Sequence, residues 1–125
     1  MFTVSVRKCF WALHRLVGAG GRLEPLHGHN WTVTAEVAAP ELDDAGTVMD
    51  FSVLEAVLED ILAGLENTGL DQLDCFSRRG CSAEQLAAYL HGKIASRIPK
   101  GIDLVRVRVA EAQGFEAAFA AGTRF

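Results

Sequence analysis

Three histidines, His14, His27 and His29, are the residues of this chain whose type and spacing best suit chemistry. Two of them lie in the run His27-Gly28-His29-Asn30-Trp31, directly ahead of an alternating stretch from Trp31 to Val37. Residues two apart in an extended strand project from the same face, so His27 and His29 can present two imidazoles side by side. His14 ends an earlier strand-like stretch and can close the set from a neighbouring strand. Three neutral imidazoles leave one position of a tetrahedral zinc ion open to water or substrate. That is the composition of a catalytic zinc site, not of a sealed structural one.

The elements that must position these residues follow from periodicity. Phe2, Val4 and Val6 alternate with Thr3, Ser5 and Arg7, which reads as a first strand continuing toward Leu13 and His14. Val17 to Gly21 reads as a turn. A second strand is expected from His29 to Ala39, with Trp31, Val33, Ala35 and Val37 on one face. Phe51, Leu54, Leu58, Ile61, Leu62 and Leu65 recur at helical spacing. A helix is therefore expected from about Ser52 to about Leu65, with Ser52 as N-cap and Glu55 at the capping-box position. Asp50 reads as a structural acid near that helix start, where negative charge is favoured. A second helix should begin at its N-cap Ser82, with Gln85 in the box, and end at Pro99 to Gly101. His91 reads as a surface residue of that helix. Leu104 to Val109 alternates again, and a last short strand is expected around Phe115 to Phe119, where the alanines also permit a helix.

The order is β-β-α-α-β-β in one domain over residues 1–125. It predicts an α+β layer, a four-stranded antiparallel sheet with two helices on one face. Such a sheet leaves strand edges open, which oligomerisation would cover. A net charge of −4 with no basic stripe argues against nucleic acid. No apolar run approaches a membrane span, and no secretion signal is visible. Cys9, Cys75 and Cys81 are odd in number and form no CxxC pair, which fits a reduced, cytoplasmic setting.

The runs Phe10 to Leu16, Glu24 to Trp31 and Thr47 to Phe51, with Ser82-Ala83-Glu84-Gln85 and Val107 to Glu111, resemble the 6-pyruvoyl-tetrahydropterin synthase family. That family includes the 6-carboxy-tetrahydropterin synthases of the queuosine pathway. The resemblance implies the tunnelling fold, in which sheets join into a barrel as two trimers of a homohexamer. It implies a Zn2+ cofactor held by His14, His27 and His29. It further implies lyase chemistry on dihydroneopterin triphosphate, with Glu111 anchoring the pterin and Ser82 at the substrate.

The departures from the family pattern bear on the chemistry. The usual catalytic cysteine falls at Leu23, and the usual aspartate–histidine pair at Glu66-Asn67. Neither leucine nor a neutral amide transfers protons. Glu24, next to Leu23 and close to the histidines, and Glu66 are the carboxylates left to move a proton; for Glu24 the plain alternative is a solvated loop glutamate. Cys9, Cys75 and Cys81 are candidates for a relocated nucleophile, Cys81 above all because it precedes a helix start; small idle side chains are the plain reading. Arg15, Arg22, Arg78 and Arg79 could meet a triphosphate or be solvated loop charge. Two functions stay open: a zinc-dependent pterin lyase with an altered acid–base set, and a zinc-containing pterin- or purine-binding protein without turnover.

Overall fold

A computed structural model describes residues 1–73, 76 and 80–121, the side chain at position 19 left aside. Cys75, Arg78 and Arg79 lie outside these residues. The elements are strand β1 (Phe2–His14), strand β2 (His27–Ala39), helix α1 (Phe51–Ala63), helix α2 (Ala83–Ala95), strand β3 (Asp103–Ala112) and strand β4 (Phe115–Phe119). Single 3-10 turns stand at Ala19–Gly21 and Leu70–Gln72.

The sheet runs β1-β2-β3-β4, each strand antiparallel to its neighbour. The alternation decides its two faces. Phe10, Ala12 and His14 of β1 turn inward with Trp31, Val33, Ala35 and Val37 of β2 and Val107 and Val109 of β3. Leu54, Leu58 and Leu62 of α1 and Leu86, Leu90 and Ile94 of α2 cover that face. Thr3, Ser5, Arg7, Cys9 and Trp11 alternate onto the other, exposed face.

Three expectations change in detail. Strand β2 begins at His27, so the whole His27-Gly28-His29 run is paired with β1. The N-cap of α1 is Asp50, not Ser52. The Asp50 carboxylate accepts hydrogen bonds from the Ser52 N–H and hydroxyl, both at 2.8 Å, and these bonds hold it below the usual carboxylate range. The segment Phe115–Phe119 is a strand as expected, turned back on β3 through Gly114 at φ 86°. The third correction follows from that pairing. His91 is buried rather than on the surface, because β4 brings Phe119 edge-on to its ring at 5.0 Å. Its Nε2 lies 3.2 Å from the Leu104 carbonyl oxygen.

Helix α2 starts with the expected capping box. The Ser82 hydroxyl accepts from Gln85 N–H at 3.0 Å, and Gln85 Oε1 accepts from Ser82 N–H at 2.9 Å. Ser82→Ala should lower the unfolding free energy by about 1 kcal/mol in urea titration, the usual effect of losing a hydroxyl N-cap.

Candidate metal centre

The register of β1 and β2 assembles the histidines. His14 pairs with His27, and His29 pairs with Ala12. The small side chain of Ala12 leaves the space above it to the imidazoles. Ring centroids lie 4.5 Å apart for His14–His27, 5.0 Å for His14–His29 and 4.8 Å for His27–His29. One ring nitrogen from each residue falls within 4.8 Å of the other two. Trp31 forms the floor, 4.8 Å from the His14 ring and 5.3 Å from the His29 ring, and its indole N–H donates to the Ala12 carbonyl at 3.2 Å. Gly28, between the two histidines, faces the opposite side of the sheet; a Cβ there would overlap the Trp11 ring.

Two backbone carbonyls orient the rings. His14 Nδ1 lies 2.7 Å from the Cys81 carbonyl oxygen, and His27 Nδ1 lies 2.8 Å from that of Pro25. A carbonyl only accepts, so each Nδ1 carries a proton, and in the neutral imidazole each Nε2 keeps a bare lone pair. His14 is buried, and its Nε2 has no hydrogen-bond partner. A buried acceptor with no donor is costly unless a cation meets it. Burial, and then the neighbouring His14, lowers the pKa of His29; Glu111 and Glu24 oppose that shift. The net direction favours the neutral imidazole, the form that ligates a metal. Donor type, open geometry and orienting carbonyls all fit zinc.

The remaining candidates separate. The Glu111 carboxylate Oε2 lies 3.5 Å from His14 Nε2 and 3.7 Å from His29 Nε2. Glu111 also lines an open cleft of about 500 Å³, together with Ala83, Glu84, Gly114 and Phe115. Glu24 is half-buried, and Oε1 accepts from Leu16 N–H at 2.8 Å, while Glu24 N–H donates to Leu16 O at 3.0 Å. It is near enough to His29 to act on its charge.

Glu66 lies on the free edge of β1, where Oε2 accepts from Trp11 N–H at 3.1 Å. Asn67 and Thr68 continue that edge through Asn67 N–H to Trp11 O at 2.7 Å and Leu13 N–H to Thr68 O at 2.9 Å. Asn67 holds φ 61°, a left-handed conformation that asparagine tolerates better than most residues. Ser82 is occupied as the cap of α2, one residue from the carbonyl that orients His14.

Cys81 is fully buried, and its Sγ lies 3.6 Å from the Ser82 carbonyl oxygen, so it is no exposed thiolate. Cys9 stands on the sheet face opposite the histidines, 3.5 Å from the Thr32 hydroxyl. Arg15 faces Asp71 at 4.0 Å, and Arg22 is exposed. The separate apolar cavity of about 470 Å³ beside His91 opens at Met1 and Asp103, by the strand ends away from His14.

Sequence reasoning did not find the orienting groups. The Cys81 carbonyl reaches His14 because Cys81 N–H is held by Asp71 at 3.0 Å and Gly80 is bridged to Leu16, just beyond the end of β1. A Cβ at Gly80 would overlap the Arg15 carbonyl oxygen, and its φ of 79° suits glycine. The Gly80-Cys81 pair is the only trace of this in the sequence, and it names no partner.

A family model described as 6-pyruvoyl tetrahydropterin synthase matches residues 3–121. The 6-carboxy-5,6,7,8-tetrahydropterin synthase of Synechocystis sp. is 31% identical over 112 residues, covering 86% of this chain and 85% of the relative. The solved 6-pyruvoyl tetrahydropterin synthase of Caenorhabditis elegans has a TM-score of 0.82 at 22% identity, covering 97% of this chain and 96% of that one. The Plasmodium vivax 6-pyruvoyltetrahydropterin synthase, in a form with alanine replacing a catalytic glutamate, has a TM-score of 0.76 at 15% identity and covers 98% of each chain. At these identities the two structures speak for the fold alone.

His27→Ala should reduce zinc, measured by elemental analysis, to well below one ion per chain, because two imidazoles make a poor zinc site. Full occupancy in that variant would remove His27 from the ligand set.

Proposed function

The chain belongs to the 6-pyruvoyl tetrahydropterin synthase family, and from that premise we propose that it is a zinc-dependent lyase acting on a dihydroneopterin triphosphate-like substrate. The observation that carries this reading is the convergence of three imidazoles, two with their Nε2 lone pairs freed by backbone carbonyls, beside a carboxylate-walled cleft.

His14, His27 and His29 would hold the metal. Zinc bound there supplies a Lewis acid that acidifies side-chain hydroxyls. Glu111 and Glu84 offer acceptors along the cleft, which suits the N–H edge of an aminopyrimidinone ring. A volume of about 500 Å³ lies within the range of small-molecule sites. Ser82, beside the same helix start, is the second substrate contact in this reading.

Glu24 is the proton acceptor. The Leu16 N–H holds one of its oxygens, and Oε2 takes no hydrogen bond from the described residues. A carboxylate fixed at one oxygen and open at the other is positioned for general base work. Glu66, likewise held at one oxygen by a backbone N–H, is the reserve candidate, because of the two it is Glu24 that acts on the charge of His29. The protein is further read as a cytoplasmic homohexamer of two trimers. Exposed Trp11, Leu23 and Leu26 would supply apolar contact between subunits.

One observation favours a pterin-binding protein without turnover. Leu23 is 57% exposed, and Asn67 serves backbone geometry, so neither transfers a proton.

Incubation of the zinc-loaded protein with dihydroneopterin triphosphate, following triphosphate release, decides between the readings. Turnover that falls by about 10²–10⁴-fold in Glu24→Gln is the expected result for the lyase. Neopterin binding with no turnover of any reduced pterin would leave the binding protein. In either case Glu111→Gln should weaken neopterin binding in calorimetry, since the amide lacks the charge that strengthens the N–H bonds.

A further inference from the structure

Glu111 faces two ways. It lines the cleft, yet its Oε2 stands 3.5 Å from His14 Nε2 and 3.7 Å from His29 Nε2. These distances are long for charge-assisted hydrogen bonds, which run about 2.7–2.9 Å. The protonation pattern weakens that interpretation further. In the neutral imidazole that ligates a metal, the Nδ1 proton goes to the Cys81 carbonyl and Nε2 offers a lone pair toward the carboxylate. Acceptor facing acceptor in a buried place is repulsive without a cation between them.

The spacing has a different match. Zinc binds nitrogen at about 2.0–2.1 Å and carboxylate oxygen at about 2.0–2.2 Å, so neighbouring atoms of a tetrahedral shell stand about 3.3–3.5 Å apart. Glu111 Oε2 is close to that spacing from two of the three imidazoles.

We propose that Glu111 is the fourth, exchangeable ligand of the metal centre: it closes the three-histidine site while the cleft is empty and leaves it when a pterin-type ring claims the same carboxylate. The inference rests on the zinc and pterin readings above and adds a resting state to them. A carboxylate also lowers the net charge of a dication held by three neutral imidazoles, which suits a site where His14 is buried. With Glu111 in place, a four-coordinate shell has no vacancy at which water is activated. The ring that needs the centre is then the ligand that opens it. Glu111 is suited to the exchange because its side chain is 34% exposed, whereas that of His14 is 2% exposed.

The test compares the wild type with E111Q and E111A. Zinc affinity is measured by chelator competition, and coordination by the visible spectrum of the cobalt-loaded proteins. Both variants should bind zinc about 10–100-fold more weakly, the scale seen when a group that supports a metal site is lost. The wild-type cobalt spectrum should be intense and four-coordinate, and should change on saturation with neopterin. The variants should show an altered spectrum before any neopterin is added. Circular dichroism of the metal-free proteins separates ligand loss from misfolding, and E111Q, the isosteric change, decides the question if E111A does not fold. Zinc affinity within twofold of wild type, with superimposable cobalt spectra, overturns the proposal while leaving the zinc and pterin readings standing. A wild-type spectrum that neopterin binding does not alter overturns the exchange. A wild type that takes up neither metal overturns both this proposal and the function on which it rests.

Discussion

The pairing register of β1 with β2 is the constraint on which the rest of the molecule depends. It sets His14 opposite His27 and His29 opposite Ala12, with Phe10 opposite Trp31 beneath them. A strand has a side-chain period of two, so a slip of one residue would move all of β2's inward set to the other face. The same slip would carry His27 and His29 away from His14. The apolar residues that specify the register therefore also assemble the three-histidine cluster. Trp31 is the clearest case, since it is fully buried in the core and touches two of the imidazoles.

Burying imidazoles carries a polar cost, and the fold meets it with backbone carbonyls. The chain of support for His14 runs outward from its Nδ1 to the Cys81 carbonyl, and from Cys81 N–H to Asp71. Ser82, the next residue, caps α2. Helix α2 packs on β3 and β4, the hairpin that carries Glu111. The start of one helix thus links the ligand on β1 to the carboxylate on β3. Groups of this kind fix ring orientation and tautomer, which is why a metal site extends beyond its ligands.

Three candidate glutamates have different environments, and position alone distinguishes them. Glu24 is pinned at one oxygen by the loop between β1 and β2. Glu66 closes part of the β1 edge by accepting from Trp11 N–H. Glu111 lies between the histidines and the cleft. Leu23 and Asn67, the positions where the family resemblance implies a cysteine and a histidine, adjoin two of these carboxylates in sequence. Asn67 has a reason of its own to be asparagine, because its φ of 61° turns the chain onto the strand edge.

Local periodicity already determined much of this protein. Alternation marked β1, β2 and β3, and the spacing of Leu86, Leu90 and Ile94 marked α2 with its Ser82–Gln85 box. The His27-Gly28-His29 run announced two of the clustered histidines, because residues two apart on one strand share a face whatever the rest of the chain does. The cap of α1 is ambiguous in the sequence because Asp50 and Ser52 both qualify as caps by type, and only backbone geometry chooses between them. The burial of His91 is hidden for a different reason. It depends on Phe119, and β4 is short and alanine-rich enough to read as helix until its pairing with β3 is known. The Cys81 and Pro25 carbonyls, the placing of Glu66 and the approach of Glu111 to the imidazoles were decided by tertiary structure alone. These contacts join residues far apart in sequence or depend on the path of a loop, and no local pattern records either.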